Sequence, residues 1–246
     1  QTEEHLGIIE VLGISSGIVV LTKSDKVDAE VLQQRQEEIA ARLTTSSVTW
    51  HDTVITSVIA NTGISELVTQ IENLVAAQVT NSNNTRLRLF IDRVFSMKGS
   101  GTVVTGTLEG GNLEAASSLI VARTGTSVRI REIQTHGSVV AVAQSGSRCA
   151  INLSGIDANE LQRGDALVRE NDWYMSNAFD ARINVLPALQ HALTHRGSFT
   201  LHVGTRSQSA TVRILQTDTI DPGQSGLVRI RFEHSLPLVP GDRFLL

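Results

Sequence analysis

The spacing of apolar residues changes character near residue 80 of this chain. Before that point it is helical or fully buried, and after it the apolar residues alternate with polar ones. Residues 3–12 predict a helix that ends at Gly13, a residue suited to the left-handed turn after a helix. The run Gly17-Ile18-Val19-Val20-Leu21 predicts a buried parallel strand, with Thr22-Lys23-Ser24-Asp25 at its C-terminal end, where open α/β sheets bind ligands. Asp28 is placed to cap a helix reaching about residue 43, with Leu32, Ile39 and Leu43 on one side. Residues 53–58 predict a second strand. Ile64, Leu67, Val68, Ile71, Leu74 and Val75 then trace a third helix by the i, i+3, i+4, i+7 rule. Residues 1–80 therefore read α-β-α-β-α, like the second half of a nucleotide-binding α/β domain.

Asn81-Ser82-Asn83-Asn84 is a polar connector, and beyond it the period is two. Leu87, Leu89 and Ile91 alternate with Arg88, Phe90 and Asp92. Lys98-Gly99-Ser100-Gly101 then supplies a turn, and residues 102–107 return as a β-branched strand. Residues 118–122, 127–133 and 138–143 predict further strands, and Gly164-Asp165 turns the chain into a closing strand. A second set follows in residues 178–185, around Leu201, Val212 and Ile230, and it ends on the same device at Gly241-Asp242. Short strands at regular spacing predict barrels, one over 85–171 and one over 174–246. Gly101 and Gly106 imitate the start of a phosphate-binding loop. Thr107-Leu108 stands where Lys-Ser/Thr is required, so the segment is read as a hairpin.

Charge adds one asymmetry. Residues 1–83 hold four Lys/Arg against eleven Asp/Glu, whereas 84–246 hold seventeen against fourteen. Eighteen of the twenty-one basic residues are arginine, which suits phosphate contacts in the second part. The single cysteine, Cys149, has no internal disulfide partner, so a reducing, cytoplasmic setting is expected. No apolar run of about 18 residues points to a membrane. Arg229 and Arg231 share one strand face, read as solvated with RNA contact as the alternative. His191 and His195 have a helical metal spacing but lead into a strand, so no metal site is expected.

Three groups of residues resemble the translational GTPases. Gln1-Thr2-x-Glu4-His5-Leu6 is similar to the start of the helix after their switch segments. Thr22-Lys23-x-Asp25 resembles their guanine-specificity motif, and Thr56-Ser57-Val58 falls where the second base-contacting turn belongs. The spelling Ile91-Asp92-Arg93-x-Phe95 followed by K-G-x-G-x-V-V-T-G-T resembles the selenocysteine-specific elongation factors in particular. Ala116-Ser117 departs from the family, which usually writes Gly-Asp there. The resemblance implies α/β plus all-β architecture: the C-terminal half of a P-loop GTPase domain followed by two β-barrel domains.

It also implies GTP as cofactor, with Mg2+ bound through a part of the domain outside this chain. The guanine site would comprise Thr22, Lys23, Asp25, Ser57 and Val58. Guanine offers a ring N–H and an amine side by side, and one carboxylate accepts from both. The Lys23 stem would lie over the base, and a backbone N–H of Ser57-Val58 would meet the guanine oxygen. Asp92, Arg93 and Arg148 would hold the aminoacyl group, the two guanidiniums favouring an anionic selenol over a neutral serine hydroxyl. One geometric condition attaches to this. Residues 92 and 93 of a regular strand face opposite ways, so both reach one pocket only if the strand ends or bulges there; otherwise an ordinary ion pair is the alternative.

The resemblance thus implies delivery of selenocysteinyl-tRNA to the ribosome, with an mRNA element read by a C-terminal module outside this chain. The chain is expected to be a fragment lacking the P-loop and switches, and hence unable to hydrolyse GTP by itself. A general aminoacyl-tRNA elongation factor or other translational GTPase, and, from another class, a catalytically silent RNA-binding double barrel, are the alternatives.

Overall fold

The computed structural model describes residues 2–77, 85–97, 101–187 and 189–246. Gln1, the connector Asn81-Ser82-Asn83-Asn84 and the hairpin residues Lys98-Gly99-Ser100 lie outside the described residues. The chain forms two units, Gln1–Asn81 and Ser82–Leu246.

The first unit runs α1 (Thr2–Val11), β1 (Ser16–Leu21), α2 (Ala29–Leu43), β2 (Thr49–Ile55) and α3 (Ile64–Ala77), as the periodicity predicts. β1 and β2 are parallel, Ser16 opposite Thr49 and Leu21 opposite Ile55, with α2 as the crossover that parallel strands need. β2 begins and ends earlier than the expected 53–58. Thr49, Trp50 and His51, ahead of the expected start, pair with Ser16, Gly17 and Ile18 of β1, and the chain leaves the sheet after Ile55. Asp28 occupies the cap position of α2, but its side chain makes no capping bond; its carbonyl accepts from the Leu32 N–H at 3.0 Å. The core of this unit is thin. Leu6, Val48 and Val54 are its buried apolar side chains among the described residues.

The second unit is almost entirely β. Its first part comprises β3 (Arg88–Met97), β4 (Gly101–Glu109), β5 (Leu113–Glu114), β6 (Ser118–Val121), β7 (Thr126–Thr135), β8 (Ser138–Val140), β9 (Val142–Ala143), β10 (Arg148–Ser154) and β11 (Ala166–Val168). The order β10-β4-β3-β11-β6-β7, with β7 pairing back onto β10, closes a six-stranded barrel, so no edge of that cycle is left open. Gly106 in β4 is a packing requirement, since a Cβ there would lie 2.4 Å from the Phe90 carbonyl oxygen. The interior is filled by residues such as Leu89, Ile91, Leu108, Ile151 and Leu153. Cys149 packs there too, and burial pushes its thiol pKa up, as suits a core residue. The Ala116-Ser117 turn forms although it lacks glycine. Ala116 takes φ 66°, and the Ser117 hydroxyl donates to the Glu114 carbonyl at 2.6 Å.

The second part has β12 (Met175–Asn184), β13 (Leu193–Thr194), β14 (Phe199–Val203), β15 (Arg206–Ile214), β16 (Thr219–Ile220) and β17 (Ser225–Pro237). Its main sheet has the order β12-β17-β15-β14, β13 pairs with β16, and Leu245 bonds to His202 of β14. Its core is shared, because Phe90, Ala166 and Val168 of the first barrel belong to the same buried cluster as Val203, Val228 and Ile230. β3 is therefore buried on both faces. Leu89 and Ile91 fill the closed barrel, while Arg88 and Phe90 face the second.

The two Gly-Asp closures are the same construction. In each, the aspartate N–H donates to the carbonyl three residues back (Gln162 or Val239) at 3.1 Å, and the carboxylate accepts that residue's N–H at 3.0 Å. The intervening glycines take φ 88° and 97°, the left-handed value of a type II turn. Each carboxylate then grips an arginine in bidentate fashion. Asp165 holds Arg123 at 2.7 and 3.0 Å, and Asp242 holds Arg88 at 2.7 and 2.8 Å. Arg88 also bonds Glu109 and the Pro237 carbonyl and lies over the Phe90 and Trp173 rings. Burial disfavours its charge, but the hydrogen bonds and charges of Asp242 and Glu109 outweigh that and raise its pKa.

Candidate functional sites

At the end of β1 the chain reverses sharply. Lys23 adopts φ 60°, ψ 38°, a left-handed conformation costly for a side-chain-bearing residue, and a single helical turn follows at Ser24–Lys26. The turn is fastened to the segment after β2. Both the N–H and the hydroxyl of Ser24 donate to the Thr56 carbonyl at 3.2 Å, and Thr56 N–H donates to Leu21 at 2.8 Å. Asp25 is held by the Ser57 hydroxyl, which donates to its Oδ1. The two motifs, thirty residues apart in sequence, thus become one site.

Ser57 itself is buried and closed into a small loop. Its N–H donates to the Thr62 carbonyl at 3.1 Å, and its hydroxyl oxygen also accepts from the Ala60 N–H at 3.0 Å. The Ser57 N–H is therefore unavailable to a ligand. That of Val58, a residue 84% exposed, has no partner among the described residues and can serve. Thr22 and Lys23 are exposed beside them. The arrangement presents a fixed acceptor, one open backbone donor and an aliphatic stem, which fits the edge and face of guanine.

The second constellation lies on the closed barrel. The β3–β4 register slips between Ile91, opposite Gly106, and Arg93, opposite Thr105. Asp92 is the extra residue of a bulge. Ile91 and Val94 both pack on the barrel core, so Asp92 and Arg93 between them both turn away from it. The condition on residues 92 and 93 is met. Asp92 accepts from the Thr105 hydroxyl on Oδ1 and pairs at 2.7 Å through Oδ2 with Nη1 of Arg148, which is opposite Thr107 on β10. The structure joins Asp92 to Arg148 and leaves Arg93 exposed with no charged partner among the described residues. Thr105 is the member that reading the sequence missed. Its register to Asp92 exists only because of the bulge, and nothing in a β-branched run marks it.

On the outer face of the second barrel Arg229 is committed to Asp180 at 2.6 and 2.7 Å, which holds that carboxyl below its usual range. Arg213, opposite Arg229, and Arg231, opposite Ala178, have no carboxylate partner among the described residues. His191 and His195 flank the short strand β13, so their spacing is not that of a helix face. Among the described residues no helix is long and apolar enough to cross a membrane.

No family model matches the chain. Over all of its 246 residues it is 35% identical to the selenocysteine-specific elongation factor of Desulfomicrobium baculatum, covering 39% of that protein. Over its full length the chain is homologous to the selenocysteine-specific elongation factors. Among solved structures it superposes on a bacterial selenocysteine-specific elongation factor with TM-score 0.82 and 28% identity, over 99% of this chain and 39% of that one. The elongation factor SelB of Methanococcus maripaludis, solved with a GTP analogue, gives TM-score 0.87 over 100% of this chain and 57% of that one; at 24% identity it speaks for the fold alone. That fold is a GTPase domain followed by β-barrels. The chain spans 39% of the length of the Desulfomicrobium relative.

Proposed function

We propose that this chain supplies the guanine-recognising turn and the aminoacyl-tRNA-holding barrels of a GTP-dependent factor that brings selenocysteinyl-tRNA to the ribosome in the cytoplasm. The observation that carries the reading is the bulge at Asp92. It turns two consecutive polar residues away from the barrel core and sets the first of them, Asp92, against Arg148, where an ordinary strand would have buried one of the two. In the unliganded chain Asp92 holds Arg148 by one nitrogen. The rest of that guanidinium, together with that of Arg93, is left for an anionic selenol, and Asp92 is left to accept from the amino group of the aminoacyl ester. Arg213 and Arg231 are suited to tRNA phosphates on the second barrel.

When GTP is bound it supplies the energy of switching. Here Asp25 would accept from the two guanine donors, Val58 N–H would donate to the guanine oxygen and the Lys23 stem would cover the base. No residue of this chain is assigned to Mg2+ or to the mRNA element.

The test is a chimera in which this chain replaces the matching segment of the Desulfomicrobium factor. Arg148→Ala should weaken selenocysteinyl-tRNA binding roughly threefold to tenfold, a modest loss because a charged contact here is screened by solvent. Seryl-tRNA binding should change much less, and Arg148→Lys should recover only part of the loss. An equal loss for both tRNAs would overturn the pocket and make Arg148 a phosphate or folding residue.

A further inference from the structure

The junction between the two barrels contains a second buried arginine, and it contrasts with the first. Arg88 of the closed barrel reaches the Gly-Asp turn of the second barrel and is saturated, with bonds to Asp242, Glu109 and Pro237. Arg206, at the start of β15 in the second barrel, reaches back towards the Gly-Asp turn of the first. Its Cα lies 2.7 Å from where a Cβ on Gly164 would stand. Its side chain is 9% exposed, yet among the described residues it makes no hydrogen bond. Its Nε is buried without a partner, and its nearest carboxylate oxygen, Oδ1 of Asp165, is 3.8 Å from Nη1. That carboxylate is already occupied, because Arg123 takes both of its oxygens and the Gln162 N–H shares one. Two guanidiniums thus face one fully buried carboxylate, which leaves a surplus positive charge. The remaining titratable group lining the adjoining cavity, His234, can only add to it.

A buried guanidinium nitrogen without an acceptor is unfavourable, the more so when the nearest carboxylate is already held by a second arginine. A water would answer the hydrogen bond and not the charge. The cavity beside Arg206, lined also by Arg123, Ser235 and Leu236, offers about 10 Å³ for the centre of a small particle, enough for one water or one halide ion. That is too small for phosphate or sulfate. We propose that Arg206 holds a monoatomic anion, a halide such as chloride, at the junction of the two barrels, where it stands in for the carboxylate that Arg123 has taken. Through its contact with a residue of each barrel, the ion contributes to holding them together.

The test is thermal unfolding of the full chain in sodium chloride, sodium bromide and sodium gluconate at equal ionic strength, with a bromide-soaked crystal for anomalous scattering. The expected result is a saturable rise on the order of 2–4 °C in either halide, with a bromide peak within bonding distance of Arg206 Nε. Arg206→Met should abolish the difference between salts. Arg123→Met should abolish it too, because Asp165 is then free to pair with Arg206; this variant keeps the test decisive if Arg206→Met does not fold. Equal melting in all three salts, a halide effect that survives Arg123→Met, or no bromide peak would overturn the proposal.

Discussion

Asp25 and Asp92 sit in unrelated architectures, yet each is fixed in the same way. A hydroxyl from the neighbouring segment, Ser57 in one case and Thr105 in the other, donates to Oδ1 and leaves the second oxygen directed elsewhere. A carboxylate that must accept from a ligand gains from such anchoring, because less freedom is lost when the ligand arrives. Ser57→Ala removes the anchor of Asp25 without touching the open Val58 N–H. In the chimera it should weaken GDP binding roughly threefold to tenfold, the effect of a charge-assisted bond discounted for solvent. Titration calorimetry reads it directly. Unchanged affinity would mean that Asp25 is oriented by the Ser24–Thr56 bonds alone.

Among the elements, the turn between β5 and β6 gives the cleanest stability test. Ala116 holds φ 66°, a region that costs an L-residue roughly 1–2 kcal/mol, while glycine enters it freely. Ala116→Gly relieves the strain but raises the entropy of the unfolded chain, so the net gain should be about 0.5–1 kcal/mol in denaturant unfolding; a loss of stability would show the turn to be unstrained. Element types were readable from period alone, because the alternation of Leu87, Leu89 and Ile91 and the helical spacing of 64–75 each admit one periodicity. Less readable were features set by pairing. Asp92-Arg93 carries no mark of a bulge in a single strand, since the slip is a relation to Thr105. The polar start of β2 became a strand only because β1 lies beside it. Arg88 reads as the solvent side of its strand and is buried, because its partner Asp242 lies at the far end of the chain and the shared core covers both. The Gly-Asp words announced turns, but not that each would seat an arginine. The two segments expected to contact guanine are brought together by the Ser24–Thr56 and Ser57–Asp25 bonds, although Ser57 spends its N–H on Thr62.

At the scale of the whole molecule the two units differ in how they are held. The first has three buried apolar side chains among its described residues, and neither α2 nor α3 has any. Ile14, Val68, Ile71 and Val75 are each more than two-fifths exposed. The second has two filled cores, a closed hydrogen-bond cycle and the Arg88 lock. Proteolysis of a native protein tracks local opening, and opening is easiest where little apolar surface is buried. Trypsin offers a fair comparison, because residues 1–83 contain only four Lys/Arg, namely Lys23, Lys26, Arg35 and Arg42, against seventeen beyond them. On number of sites alone the barrels should be cut first. The expected outcome is the reverse: early cleavage at those four positions and accumulation of a fragment retaining residues 87–246, followed by mass spectrometry of a brief digest. Cleavage spread evenly over both units would show that the thin core of the first is enough to keep it closed.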